Sequence, residues 1–126
     1  MKLQQAYISE STKVGNWGII GYKGPGEEKT KSAATGGAKS ETTNFTYEDA
    51  ASAFTDNVVD LSTDGVVGWT ASNNQKLNDC PAADNWTITV KSNGSTAGEA
   101  TFAAAIKEAN LTTCTALTPN FANIGK

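Results

Sequence analysis

Cys80 and Cys114 are the only thiols in a chain of 126 residues. The chain contains no His, which removes imidazole both as a metal ligand and as a general acid or base. Two thiols alone cannot close a zinc site, and their wide separation is not the C-x-x-C spacing of a redox pair. Ser-His-Asp and Cys-His catalysis fall with the missing His. A structural disulfide is the chemistry left to Cys80 and Cys114. It would close about 35 residues and contribute about 3–4 kcal/mol on the chain-entropy model. A cysteine pair without metal or catalytic use points to an oxidising compartment, the periplasm or the cell exterior.

Other reactive groupings are weaker. Every basic residue is Lys, and the net charge is −3 with a pI near 4.8. Without Arg there is no bidentate readout of phosphate or guanine, so nucleic acid is not an expected partner. Asp56, Asp60, Asp64, Asp79 and Asp84 raise the question of calcium, but none stands in the D-x-D-x-D-G order of a calcium loop; they read as solvated turn acids. Nothing fixes a separation between carboxylates that would suit glycoside cleavage. Trp17, Trp69 and Trp86 could form a sugar-stacking platform, yet their apolar neighbours place them in the core. The glycine-rich stretch lacks P-loop order. Asn44, Asn85, Asn93 and Asn110 each begin an N-x-S/T triplet, as chance allows in a chain rich in Asn and Thr. No catalytic, cofactor or metal residues are assigned, and the chain reads as a non-enzyme.

The elements that must carry these residues follow from pattern. Leu, Ile, Val and Phe together make up roughly a sixth of the chain, a lean supply for a core in which a cross-link matters most. One domain is expected at this length. Residues 2–14 read as a helix with Leu3, Tyr7, Val14 and Trp17 on one stripe, Glu10 exposed within it, and Gln4, Ile8 and Ser11 on the free face. Gly15 stops it. The pattern begins at once without a capping residue, the look of a chain whose natural start has been removed. Lys23-Gly-Pro-Gly26 is a break, and residues 23–43 form a surface loop. Asn44–Tyr47 is a short strand, although Thr46-Tyr-Glu-Asp49 also fits a capping box.

Residues 57–61 and 66–71 flank Asp64-Gly65 as a hairpin. Trp86, Ile88 and Val90 alternate with Thr87, Thr89 and Lys91, the clearest strand in the chain. Phe102, Ile106 and Ala109 also fit a helix, but with a strand just upstream residues 100–106 are read as its hairpin partner, with the disulfide at the base and an apolar tail beside it. The expected fold is α+β: an N-terminal helix packed on an antiparallel sheet of about four strands spanning 44–106, with a disulfide-bracketed region over 80–126.

On these features the chain resembles the soluble part of a type IV pilin. The residues that carry the likeness are the opening half-helix, Asn16-Trp-Gly-Ile-Ile-Gly-Tyr-Lys-Gly-Pro-Gly26 after it, the long loop before the sheet, and Cys80 and Cys114 bracketing a C-terminal region that contains Leu117-Thr-Pro-Asn-Phe121. The prepilin leader and apolar stem of that family are missing here. The resemblance implies a non-enzymatic subunit without a cofactor, held in the inner membrane only through the missing N-terminal segment. It would assemble with copies of itself and other pilins, through the pilus assembly machinery, into an extracellular filament for adhesion, motility or DNA uptake. A pseudopilin of a type II secretion system, or a secreted carbohydrate-binding or adhesive module, are the alternatives.

Overall fold

The computed structural model describes residues 2–94 and 98–124. Met1 of the opening pattern, Ser95 of the Asn93 triplet and the final Gly125-Lys126 lie outside the described residues. In chain order the elements are α1 (Lys2–Ser11), β1 (Lys13–Gly15), α2 (Trp17–Ile20), β2 (Glu27–Thr30), β3 (Lys39–Glu41), β4 (Phe45–Glu48), β5 (Val58–Asp60), β6 (Val66–Asn73), β7 (Trp86–Ser92), β8 (Ala100–Ile106) and α3 (Leu111–Cys114), with 3₁₀ turns at Glu108–Asn110, Thr115–Leu117 and Phe121–Asn123. No helix among the described residues is long and apolar enough to cross a membrane.

The expectation of a helix on about four strands is overturned. The chain is mostly β, with 37% strand against 22% helix. Among the described residues, eight strands form two antiparallel sheets, a six-stranded one in the order β2-β3-β4-β6-β7-β8 and a two-stranded one of β1 and β5. The extra strands come from stretches that carry no hydrophobic signal. β2 and β3 lie inside the expected loop 23–43, and β2 is exposed at every residue, so backbone pairing with β3 rather than apolar burial defines it.

The opening helix is shorter than 2–14 and turned the other way. Thr12 takes φ 61°, a left-handed conformation that ends the helix, and Lys13–Gly15 continues as β1 against β5. Gln4 and Ile8 are buried at 5% and 0% exposure while Leu3 is 46% exposed. The cause is hydrogen bonding. The Gln4 side chain donates through Nε2 to the Gly15 carbonyl and accepts through Oε1 from the Gly15 N–H, both at 2.9 Å. An amide acting as a strand rung draws Gln4 inward, and Ile8 follows one turn later on the same face. Glu10 is exposed.

The hairpin expected across Asp64-Gly65 does not form. β5 pairs with β1, and β6 pairs with β4 on one side and β7 on the other, which leaves β5 no edge of β6 to join. Gly65, at φ 85°, is needed for a close approach: a Cβ there would stand 2.6 Å from Lys91 Cγ and 3.0 Å from the Val90 carbonyl. Asn44–Tyr47 does give β4, displaced by one residue, and no helix follows at Ala50–Phe54. β7 falls where the alternation placed it, and residues 100–106 are strand rather than helix, paired from Trp86↔Ile106 to Ser92↔Ala100.

Two apolar clusters sit on this frame. Ala71, Cys80, Trp86, Ile106, Cys114 and Phe121 form one, and Ile8, Val14, Phe54 and Val90 the other.

Candidate functional site: an apolar groove between helix and sheet

A cavity of about 510 Å³ opens between α1 and the six-stranded sheet. Trp69 of β6, Ile88 and Val90 of β7 and Phe102 of β8 supply its floor, Leu3, Trp17, Ile20 and Tyr22 its walls, and Phe121 and Ile124 of the tail its far end. Lys2 is the one charged lining residue. Period-two alternation in β7 explains why Ile88 and Val90 look the same way. Gly68 aligns the rest: the β6–β7 register shifts between Val67 and Trp69, a bulge that re-aims the Trp69 side chain. The bulged Gly68 carbonyl accepts the Trp17 indole N–H at 2.9 Å, which fixes the wall to the floor. Tyr22 meets Trp17 edge to face at 4.8 Å.

Aromatic contacts extend from the groove toward the disulfide. Phe121 lies 6.0 Å from Trp69, Trp69 5.7 Å from Tyr47, and Phe45 5.5 Å from Trp86 between ring centres. The Trp86 indole donates to Thr118 Oγ1 at 2.7 Å and so ties the tail to β7. The expected disulfide is present: Cys80 and Cys114 are bonded, fully buried, with Cα atoms 4.7 Å apart. Buried amides surround it. Asn85 Nδ2 donates to Asn73 Oδ1 at 2.8 Å and to the Pro81 carbonyl at 2.9 Å, Asn110 Nδ2 donates to Asn85 Oδ1 at 2.8 Å, and Asn73 Nδ2 donates to the Cys80 carbonyl at 3.1 Å. Three asparagines therefore join the loop before β7 to the turn after β8 by a route parallel to the sulfur bridge.

Asp49 is the one buried acid among the described residues, 3% exposed. Its Oδ2 accepts the Trp17 N–H at 3.0 Å and its Oδ1 accepts the Ala50 N–H at 2.9 Å. Burial pushes its pKa up from 3.8 to about 6, against the lowering effect of those two bonds. The capping box that Thr46–Asp49 also fits does not form: Phe45–Glu48 is strand β4 and no helix follows at Ala50–Phe54. Asp49 binds the first residue of α2, alongside the true cap Asn16, whose Oδ1 accepts from Ile19 N–H at 2.9 Å.

The remaining singled-out residues are scattered. Asp56, Asp60, Asp64, Asp79 and Asp84 are all exposed, and no group of three His, Cys, Asp or Glu side chains gathers among the described residues. Asp60 pairs with Lys13, and that hydrogen bond holds its pKa below the usual value. Asp84 pairs with Lys107 at 3.3 Å. Trp17 and Trp86 are 3% and 2% exposed, leaving Trp69 alone of the three half-open in the groove. Sequence does not link Phe102, Phe121 and Ile124 to a site; Phe102 stands far from the other two in the chain, and only the return of the tail across β8 unites them. Comparison with protein families, with curated proteins and with solved structures finds no match.

Proposed function

We propose that the chain is a structural subunit of the type IV pilin kind, which assembles with further copies of itself into a surface filament. The observation that carries this reading is the apolar groove. Its mouth lies at Lys2 and Leu3, the first turn of α1, and its floor is aromatic and aliphatic along its length. An apolar surface left open to water is disfavoured by about 25 cal/mol per Å², and on a soluble domain such a patch marks a place where something docks. A helix of a neighbouring copy, apolar on one face, would lie along that floor. The stapled half of the molecule suits a subunit under load, because its two loops are joined both covalently and through Asn73, Asn85 and Asn110.

The parent reading frame tests this directly. It is expected to place a short polar leader and then about 20–25 apolar residues ahead of Met1, enough for a helix that spans a bilayer. A parent frame that instead encodes another folded domain or a conventional signal peptide at that point contradicts the proposal.

A further inference from the structure

The two outer strands of the six-stranded sheet are finished differently. β2 reads Glu-Glu-Lys-Thr, the charged finish by which edges resist unwanted pairing. β8 reads Ala-Thr-Phe-Ala-Ala-Ala-Ile and carries no charge at all. Its hydrogen-bonding phase shows which backbone groups face outward. The Lys107 N–H donates to the Asn85 carbonyl at 2.7 Å, and the Asn93 N–H to the Glu99 carbonyl at 3.4 Å. In the observed register, odd-numbered residues of β8 therefore bond β7, and even-numbered ones turn their N–H and C=O outward. Gln5 of α1 fills the first outward rung: its Nε2 donates to the Gly98 carbonyl at 3.1 Å and its Oε1 accepts from the Ala100 N–H at 3.2 Å. Beyond that rung, the outward groups of Phe102 and Ala104 and the N–H of Ile106 meet no hydrogen-bond partner among the described residues.

We infer that β8 is a self-association edge, which pairs antiparallel with β8 of a second copy about a two-fold axis at Ala104. Outward rungs must meet outward rungs, so Phe102 faces Ile106 of the second copy and Ala104 faces its equivalent. The same alignment sets Ala103 opposite Ala105 and Thr101 opposite Lys107, so no like charges confront each other across the axis. A second copy is the occupant because the strand matches itself: its open rungs are symmetric about Ala104, and both contributing strands are uncharged. Such an interface is isologous and closes as a dimer. It uses the backbone edge of β8, the strand whose Phe102 side chain lines the groove, and does not depend on the filament reading.

Sedimentation velocity on the purified, oxidised chain over a rising concentration series tests it, with a reversible monomer–dimer equilibrium expected. Ala103 and Ala105 are exposed, so their side chains can be changed without disturbing the ladder. The double variant Ala103→Lys with Ala105→Lys sets Lys against Lys twice across the axis and weakens association about tenfold or more. The double variant Ala103→Lys with Ala105→Glu sets Lys against Glu twice and restores association to within about threefold of the wild type. Ala104→Pro deletes only an outward N–H and gives a folded monomer, whereas Ala103→Pro removes a bond to β7 and lowers the unfolding midpoint. Circular dichroism confirms that each variant compared for association is folded. A wild-type chain that stays monomeric throughout the series overturns the inference, and so do Lys/Lys and Lys/Glu variants that dissociate alike.

Discussion

The disulfide half of the molecule and the helix half solve the same shortage of aliphatic residues in opposite ways. Around Cys80 and Cys114 the core is aromatic and cross-linked, and its buried Asn73 and Asn85 bond each other and the half-buried Asn110. Around Ile8 and Val14 the core is smaller and mostly aliphatic, with Phe54 its one buried aromatic. There the helix is moored by amide side chains, Gln4 on Gly15 and Gln5 on Gly98 and Ala100, and a buried acid accepts the first N–H of the neighbouring α2. The first half is a permanent structure. The second is held by hydrogen bonds rather than a covalent link and lies against an open groove, the arrangement expected where a partner completes the packing.

The contrast can be broken most forcefully from the aromatic side. Trp86→Ala removes a side chain that is 2% exposed together with its bond to Thr118, and is expected to cost about 3–5 kcal/mol in urea unfolding. Replacing both cysteines by Ser should cost about 3–4 kcal/mol in the same assay, because the loop closed by the bridge is long. The tail should also loosen, seen as faster amide exchange at Phe121–Asn123.

On the helix side the largest effect is a pH dependence. Asp49 has a folded pKa of about 6 against an ordinary 3.8, so the fold prefers its protonated form. Its contribution to stability is greatest below about pH 4, falls as the pH rises from about 4 to 6, and is constant above that. The difference is on the order of 3 kcal/mol. Asp60 runs in the opposite direction, since its lowered pKa favours the charged form, but it is exposed and screened by salt. Asp49→Asn should remove the slope between pH 4 and 6 in a series of unfolding curves, and a slope that survives this substitution assigns it elsewhere. Gln4→Ala leaves the Gly15 N–H and C=O without partners, at a cost of about 2 kcal/mol. Amide exchange should quicken across α1 and β1 while β6–β8 stay protected; loss of protection throughout would erase the distinction between the halves.

The two halves also differed in how far they could be read from sequence. Around the disulfide, β-branched and aromatic residues alternate strictly over Trp86–Lys91, the cysteines flank that hairpin, and the elements fall where the pattern put them. On the helix side the decisive interactions are made by polar side chains with backbone groups distant in sequence. Gln4 looks like a solvent residue, and nothing local marks it as the partner of Gly15. Asp49 looks like part of its own capping box, yet it binds Trp17, which precedes it by 32 residues. β2 and β3 have no apolar periodicity because one of them is an exposed edge. The Val58–Asp60 strand shows the limit of turn chemistry: Asp64-Gly65 does supply a left-handed glycine, but competition among strands for β6 decides the pairing. The groove was hidden for a related reason, since its lining comes from six separated segments of chain.

The most direct measurement is oxidative footprinting of Trp69 and Trp86 in the free chain and in filaments isolated from cells that express the parent protein. Trp86 is buried already and serves as the internal reference. If the groove is where assembly covers the sheet, Trp69 is readily oxidised in the free chain and becomes as protected as Trp86 in the filament. Equal oxidation of Trp69 in the two states would contradict the account.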